Sequence, residues 1–191
     1  MSNENKLDII EFYSRSSLKK PMGHLKRRLS NFHPVDIDWM GRTYPSIEHA
    51  FQSAKFMYTT TGYHSDLVDM FTLNGDYGNI PANKVRGKGG VGNFKKLQVS
   101  LDLKTWNEER DDRMRELVQA RWDVDEIYRK IIRKAVQDGT ILLHYERPPR
   151  KGISYWGGYF PKGSEKVKEN WVGENMLGVI LIEQGNKSVK G

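Results

Sequence analysis

The segment PSIEHAFQSAKF (45–56) constrains the fold more than any other stretch of the chain. Ile47, Ala50, Phe51 and Ala54 recur at i, i+3, i+4 and i+7, the spacing of a helix with one core-facing stripe. Pro45 and Ser46 form a plausible start, with the Ser46 hydroxyl able to cap the first amides. A second layer must therefore cover this helix. Its other side carries Glu48, Gln52 and Lys55 in one row, an acid, an amide and a cation. Such a row reads either as a solvated flank or as chemistry.

The chain has 191 residues, 37% hydrophobic and 29% charged, which suits one compact domain with a real core. We expect frayed termini at 1–8 and 186–191 around a domain spanning 9–185. No apolar run reaches the length of a membrane span. The start, MSNENKLDII, does not read as a secretory signal, so a cytoplasmic location is expected. With no cysteine, disulfides and thiolate zinc sites are excluded. His24, His33, His49, His64 and His144 lack metal-ligand spacing, and no G-x-S-x-G elbow occurs. Neither a metal nor a cofactor is expected.

The formal net charge is +7, concentrated at 18–28, 83–96 and 147–151. Clustered cations attract phosphates, although an excess of lysine also serves solubility. Gly87 and Gly92 have P-loop spacing, but Asn93 and Phe94 stand where Lys and Ser/Thr are required, which rules out that motif. RGKGGVG can still cradle a phosphate with Arg86, Gly87 and Lys88, or be a flexible connection.

Along the chain, residues 9–13 read as a strand and 19–28 as a loop. A strand about Val35–Trp39, a turn at Met40–Gly41 and an extended Arg42–Tyr44 precede the Ser46 helix, which ends near Tyr58. Ser65 is placed to cap a helix through Leu73. Thr105 and Glu108 have capping-box spacing for a helix to about Trp122. Asp123 and Glu126 repeat the pattern for a helix bearing Ile127, Ile131, Ile132 and Ala135, closed by Gly139. Residues 141–146 read as a strand, and 173–184 as a buried helix with a strand as rival.

Glu48 is the acid best placed for acid–base work, because the dipole of its helix favours the ionised form. On its residues alone, a simple helix-start acid is the commoner reading.

The segments FYS (12–14), LSNFHP (29–34), GRTYPSIEHAFQSAKF (41–56), YWGG (155–158) and GENMLG (173–178) together resemble the YbiA-like, or NADAR, family. They lie in family order across roughly 9–183. The resemblance implies an α+β fold, mostly helical with a small β component. It also implies an N-glycosidase acting on ribosyl or ADP-ribosyl groups, with Glu48 as the catalytic carboxylate that stabilises the developing ribosyl cation and orients the attacking water. Ligand-binding roles follow for Ser30, Asn31 and Phe32 of LSNF, for Gln52 and Lys55, and for Trp106, Trp156, Gly157 and Asn175. Ser154 departs from the family, where an Asp commonly stands two residues before the W-G pair. Glu146 is a candidate to substitute for it. Thr105 stands where some relatives have Asp.

The basic segments favour nucleic acid over a singly phosphorylated pyrimidine intermediate of riboflavin synthesis. The expected reaction is removal of ADP-ribose from guanine in single-stranded DNA or RNA, reversing a DarT-type ADP-ribosyltransferase as functional partner. A non-catalytic ADP-ribose or NAD reader is the alternative from another class.

Overall fold

The computed structural model describes residues 8–13 and 23–189; the expected N-terminal tail lies outside them, apart from Asp8. In chain order the elements are strand β1 (Ile9–Phe12), helix α1 (Gly23–Arg28), strands β2 (Ile37–Trp39) and β3 (Arg42–Tyr44), and helices α2 (Ile47–Ala54), α3 (Ser65–Asp69), α4 (Ala82–Val85), α5 (Val91–Lys96), α6 (Leu103–Val124) and α7 (Glu126–Gln137). Strand β4 (Ile141–His144) and helix α8 (Met176–Val189) complete the set. Short 3-10 turns cover Lys55–Met57, Arg86–Gly89 and Lys168–Asn170. The fold is α+β, mostly helical. No helix among the described residues is long and apolar enough to cross a membrane.

Two compact units make up the 9–185 region expected as one domain: Asn31–Asp125, and the residues on either side of it, through Ser30 and from Glu126. In the Asn31–Asp125 unit, β2 and β3 pair antiparallel with Trp39 opposite Arg42. Met40 and Gly41 both have positive φ, 49° and 73°, so the connection is the two-residue turn that matches strand twist. Thr43 on β3 donates to Asp38 across the pair at 2.6 Å. The core is aromatic: the rings of Phe56 and Phe94 stack 4.4 Å apart, and Trp106 packs against Phe51 at 5.2 Å and Tyr58 at 5.9 Å.

Helix α2 differs from its expected amphipathic form, because all eight of its residues are buried. Ser46 caps it, accepting from the His49 amide. The helix after Tyr58 is shorter than expected: it covers Ser65–Asp69, and Ser65 opens it without capping it. At α6 the cap is Asp102, which accepts from the amides of Lys104 and Thr105 and from the Thr105 hydroxyl. Thr105 thus lies inside the helix, one turn further than the capping-box reading put it.

In the other unit, β1 and β4 pair in parallel, Ile9 with Ile141 through Phe12 with His144. Residues 23–28, expected as loop, form α1. The buried stripe of α7 is Tyr128, Ile132 and Ala135; Ile132 and Ala135 are buried as expected, while Ile127 is 44% exposed and Tyr128 takes the inward position. Gly139, with φ 66°, ends the helix. Its amide donates to Val136 and the next amide to Ala135, a Schellman arrangement. Helix α8 packs on β4 and α7, burying Leu177, Ile180 and Leu181. The segment expected as helix with a strand as rival is therefore helical, from Met176 to Val189.

Candidate active site

Helix α2 buries a charged and amide-bearing face that water would otherwise solvate; Glu48 and Gln52 are 6% and 3% exposed. Buried charge must be compensated locally. The Gln52 amide nitrogen donates to Glu48 Oε1 at 2.8 Å, and its oxygen accepts from Lys55 Nζ at 2.7 Å. Only one orientation of the amide works here, since a flip would set oxygen against carboxylate and N–H against ammonium. Lys55 also donates to the Gly89 carbonyl at 3.1 Å and lies 6.0 Å from the Trp106 ring centroid.

Burial pushes the Lys55 ammonium down to about 8; the attraction of Glu48 opposes this shift and the charge of Arg86 adds to it. The 55-position cation is therefore set by an acid one helical segment away and by a second cation on the Arg86–Gly89 turn.

The head of α2 is fixed by two further devices. The Glu48 amide donates to the Asn31 carbonyl at 3.1 Å, which brings Asn31 against the first turn. Asn31 is itself buried; its amide nitrogen points at Met114 Sδ at 3.6 Å, and its side-chain oxygen has no protein partner. His49 Nε2 stands 3.0 Å from the Ile80 carbonyl and must donate to it. Its Nδ1 then accepts from the Ser46 hydroxyl at 2.8 Å. Burial lowers the His49 pKa, consistent with a neutral ring.

The structure thus gathers Asn31, Glu48, Gln52, Lys55 and Trp106, with Arg86 acting on Lys55 through its charge. Phe32 is half-buried next to Asn31 in sequence. The glycine-rich stretch, read from sequence as either a phosphate cradle or a flexible connection, is built of helical turns. It is a 3-10 turn followed by α5, and the Gly87 carbonyl accepts the Gly90 amide. Gly87 is exposed, and the Lys88 ammonium lies 4.8 Å from the Tyr77 ring centroid. Gly89 and the Ser46–His49–Ile80 relay are functional neighbours that sequence reasoning missed. Only the density of glycines hinted at the first, and nothing local hinted at the second.

Ser30, Trp156, Gly157 and Asn175 belong to the other unit. Ser30 is buried, and its amide donates to Arg27 at 3.1 Å. Asn175 has φ 55° and spends its side chain on backbone, accepting from the His144 amide and donating to the Leu142 carbonyl, each at 2.9 Å. Carbonyls of Ser154, Tyr155 and Trp156 accept the amides of Glu174, Met176 and Leu177, so this loop closes the head of α8. Trp156 is half-buried and meets Tyr155 edge-on at 5.2 Å. A Cβ on Gly157 would run into the His144 carbonyl. The Ser154 hydroxyl donates to the Glu146 carboxylate and accepts the Gly157 amide, so Glu146 lies within hydrogen-bond reach of Ser154. No cluster of three or more metal-ligating side chains occurs among the described residues.

No protein-family model matches the chain, and no curated protein matches it. Among solved structures it is similar to the NMR structure of the E. coli protein YbiA. The identity is 21%, the match covers 96% of this chain and 86% of that one, and the TM-score is 0.62. At that identity the likeness speaks for fold alone, and it agrees with the strand and helix content described above. The chain has a YbiA-like α+β fold.

Proposed function

We propose that the protein is an N-glycosidase that removes ADP-ribose from guanine in single-stranded nucleic acid. The observation that carries the reading is the buried Glu48–Gln52–Lys55 array. A desolvated carboxylate held in one orientation suits a reaction whose transition state develops positive charge, because it needs no reorganisation when that charge appears.

In this reaction the bond between the anomeric carbon and the guanine nitrogen breaks, and its electron pair leaves with the nitrogen. Glu48 stabilises the oxocarbenium-like carbon and orients a water. The water oxygen bonds to that carbon, and one of its protons ends on the departing nitrogen. The products are ADP-ribose and unmodified guanine. Gln52, expected from the resemblance to bind ligand, is given the role of orienting the carboxylate in this reading, since both its ends are engaged within the protein. Lys55 and Arg86 supply the positive field that a pyrophosphate requires. Asn31 offers a buried acceptor to a ligand hydroxyl, and Trp106 forms the wall behind Lys55.

The test is mass spectrometry of an ADP-ribosylated guanine oligonucleotide and of the riboflavin-pathway pyrimidine intermediates, each incubated with wild type and with Glu48→Ala. Loss of the ADP-ribosyl mass with wild type alone supports the reading. Cleavage of the pyrimidine intermediates alone transfers the mechanism to that substrate. Calorimetric binding of ADP-ribose with no turnover of either substrate makes the protein a reader.

A further inference from the structure

The Arg86–Gly89 turn meets the array through Gly89, beside the charge that Arg86 exerts on Lys55. The Gly89 carbonyl holds the Lys55 ammonium. A Cβ at that position would overlap the Gln52 amide oxygen and crowd the Gln52 amide carbon, both of them side-chain atoms. Gly89 is not among the glycines with positive φ, so its lack of a side chain serves space and not backbone torsion. Gly92, three residues on, has nothing within 4 Å of a Cβ. The two glycines look alike in sequence and differ in what they face.

We infer that Gly89 is a positioning residue for Glu48, acting through the Gln52 amide; this rests on Glu48 being the catalytic carboxylate. The chain of contacts has one polarity throughout. Lys55 donates to Gly89 and to Gln52, and Gln52 donates to Glu48. Moving the amide aside removes the acceptor from Lys55 and the donor from Glu48 in a single step. A side chain at position 89 therefore disturbs the carboxylate without touching it or the substrate.

Steady-state turnover of the ADP-ribosylated oligonucleotide tests this with four single variants and one double variant beside wild type. Gly89→Ala is expected to lower kcat about tenfold while KM moves less than about threefold, the pattern of lost transition-state geometry. Gln52→Asn, too short to span Glu48 and Lys55, reproduces that pattern, and Gly92→Ala behaves as wild type. In a Gln52→Ala background, Gly89→Ala adds less than about a twofold effect, because the residue it acts through is gone. Wild-type kcat in Gly89→Ala or in Gln52→Asn overturns the inference, as does a full loss that persists in the Gln52→Ala background.

A second measurement needs no turnover. The Lys55 titration, followed by NMR at Nζ, starts from about 8. It falls further in Gly89→Ala and in Gln52→Asn as the ammonium loses an acceptor. Unmoved midpoints overturn the positioning role whatever the substrate. If Gly89→Ala does not fold, the two readouts on Gln52→Asn decide. Absent turnover by wild type sinks the proposed reaction and leaves this titration to judge the array.

Discussion

Gln52 and Glu48 stand one helical turn apart on α2, with the amide nitrogen 2.8 Å from the carboxylate oxygen and both side chains buried. An exposed i,i+4 pair of this kind contributes only about 0.2–0.5 kcal/mol. Burial changes its meaning. The pair cannot exchange its partners for water, so the carboxylate is held in place, and removing either member leaves a desolvated group behind.

Glu48→Gln tests this without a change of volume. The substitution keeps an acceptor for Gln52 and removes the negative charge. Turnover of the scissile ribosyl bond is expected to fall by about a hundredfold or more, the range for losing one preorganised electrostatic group. ADP-ribose affinity, measured by calorimetry, changes far less. Because the attraction of Glu48 raises the Lys55 pKa, the same variant moves the Lys55 midpoint below about 8.

Lys55 also sets a pH dependence of stability. Burial lowers its folded value to about 8 from the ordinary 10.5 of a lysine. Between those limits the unfolded chain binds more protons than the folded one, so stability rises with pH through that window. Below it the folded protein carries a buried ammonium. Urea unfolding of wild type and Lys55→Met across this range isolates the effect, since the other titrating groups cancel. The stability of wild type relative to the variant is expected to increase from about pH 8 to 10.5. A constant difference refutes it.

Asn175 separates a structural role from the ligand-binding one expected from sequence. Its amide bonds two backbone groups of β4, and its φ of 55° is disfavoured for most side chains. Asn175→Ala is expected to lose about 2–4 kcal/mol in urea unfolding, from two buried backbone groups left unpaired and from strain. Asn175→Gly relieves the torsion and retains only the hydrogen-bond loss, so it falls between wild type and Asn175→Ala. Equal losses in the two variants would show that torsion is irrelevant.

Much of this was legible from residue spacing. Met40–Gly41 reads as a turn, Ser46 as a cap, and Gly139 as a helix stop, because each depends on groups within a few residues. Where sequence reading failed, the deciding partner is distant. The burial of the polar face of α2 depends on Trp106, Gly89 and Asn31, none of which is near it in sequence. In α7, Ile132 and Ala135 are buried as read, but Tyr128, which supplies more apolar area than Ile127, takes the inward position in the first turn. The glycines at 87–92 read as flexible, yet they fold into helical turns, since small residues also let a turn pack closely on Gln52. Asp102 outcompetes Thr105 as the α6 cap because a carboxylate accepts from two amides at once. Residue spacing and the resemblance both singled out Glu48, while its hydrogen bond from Gln52 is visible only in the fold.

The basic turn gives the last test, which asks whether the substrate carries a nucleic-acid backbone. Arg86 is exposed and lowers the Lys55 pKa by its charge, and Lys88 lies over Tyr77 on the same turn. No acid occurs between Ala82 and Leu97, so nothing within that segment cancels the field. If phosphates beyond the ADP-ribosyl group are bound there, log affinity for an ADP-ribosylated oligonucleotide falls linearly with log salt. Each of Arg86→Ala and Lys88→Ala then reduces the slope by about 0.7, the single-strand value per phosphate contact. Turnover of a single ADP-ribosylated guanosine changes little in Lys88→Ala, since that substrate lacks the flanking phosphates. An unaltered salt slope in both variants, with the oligonucleotide still cleaved, would move backbone recognition away from this turn.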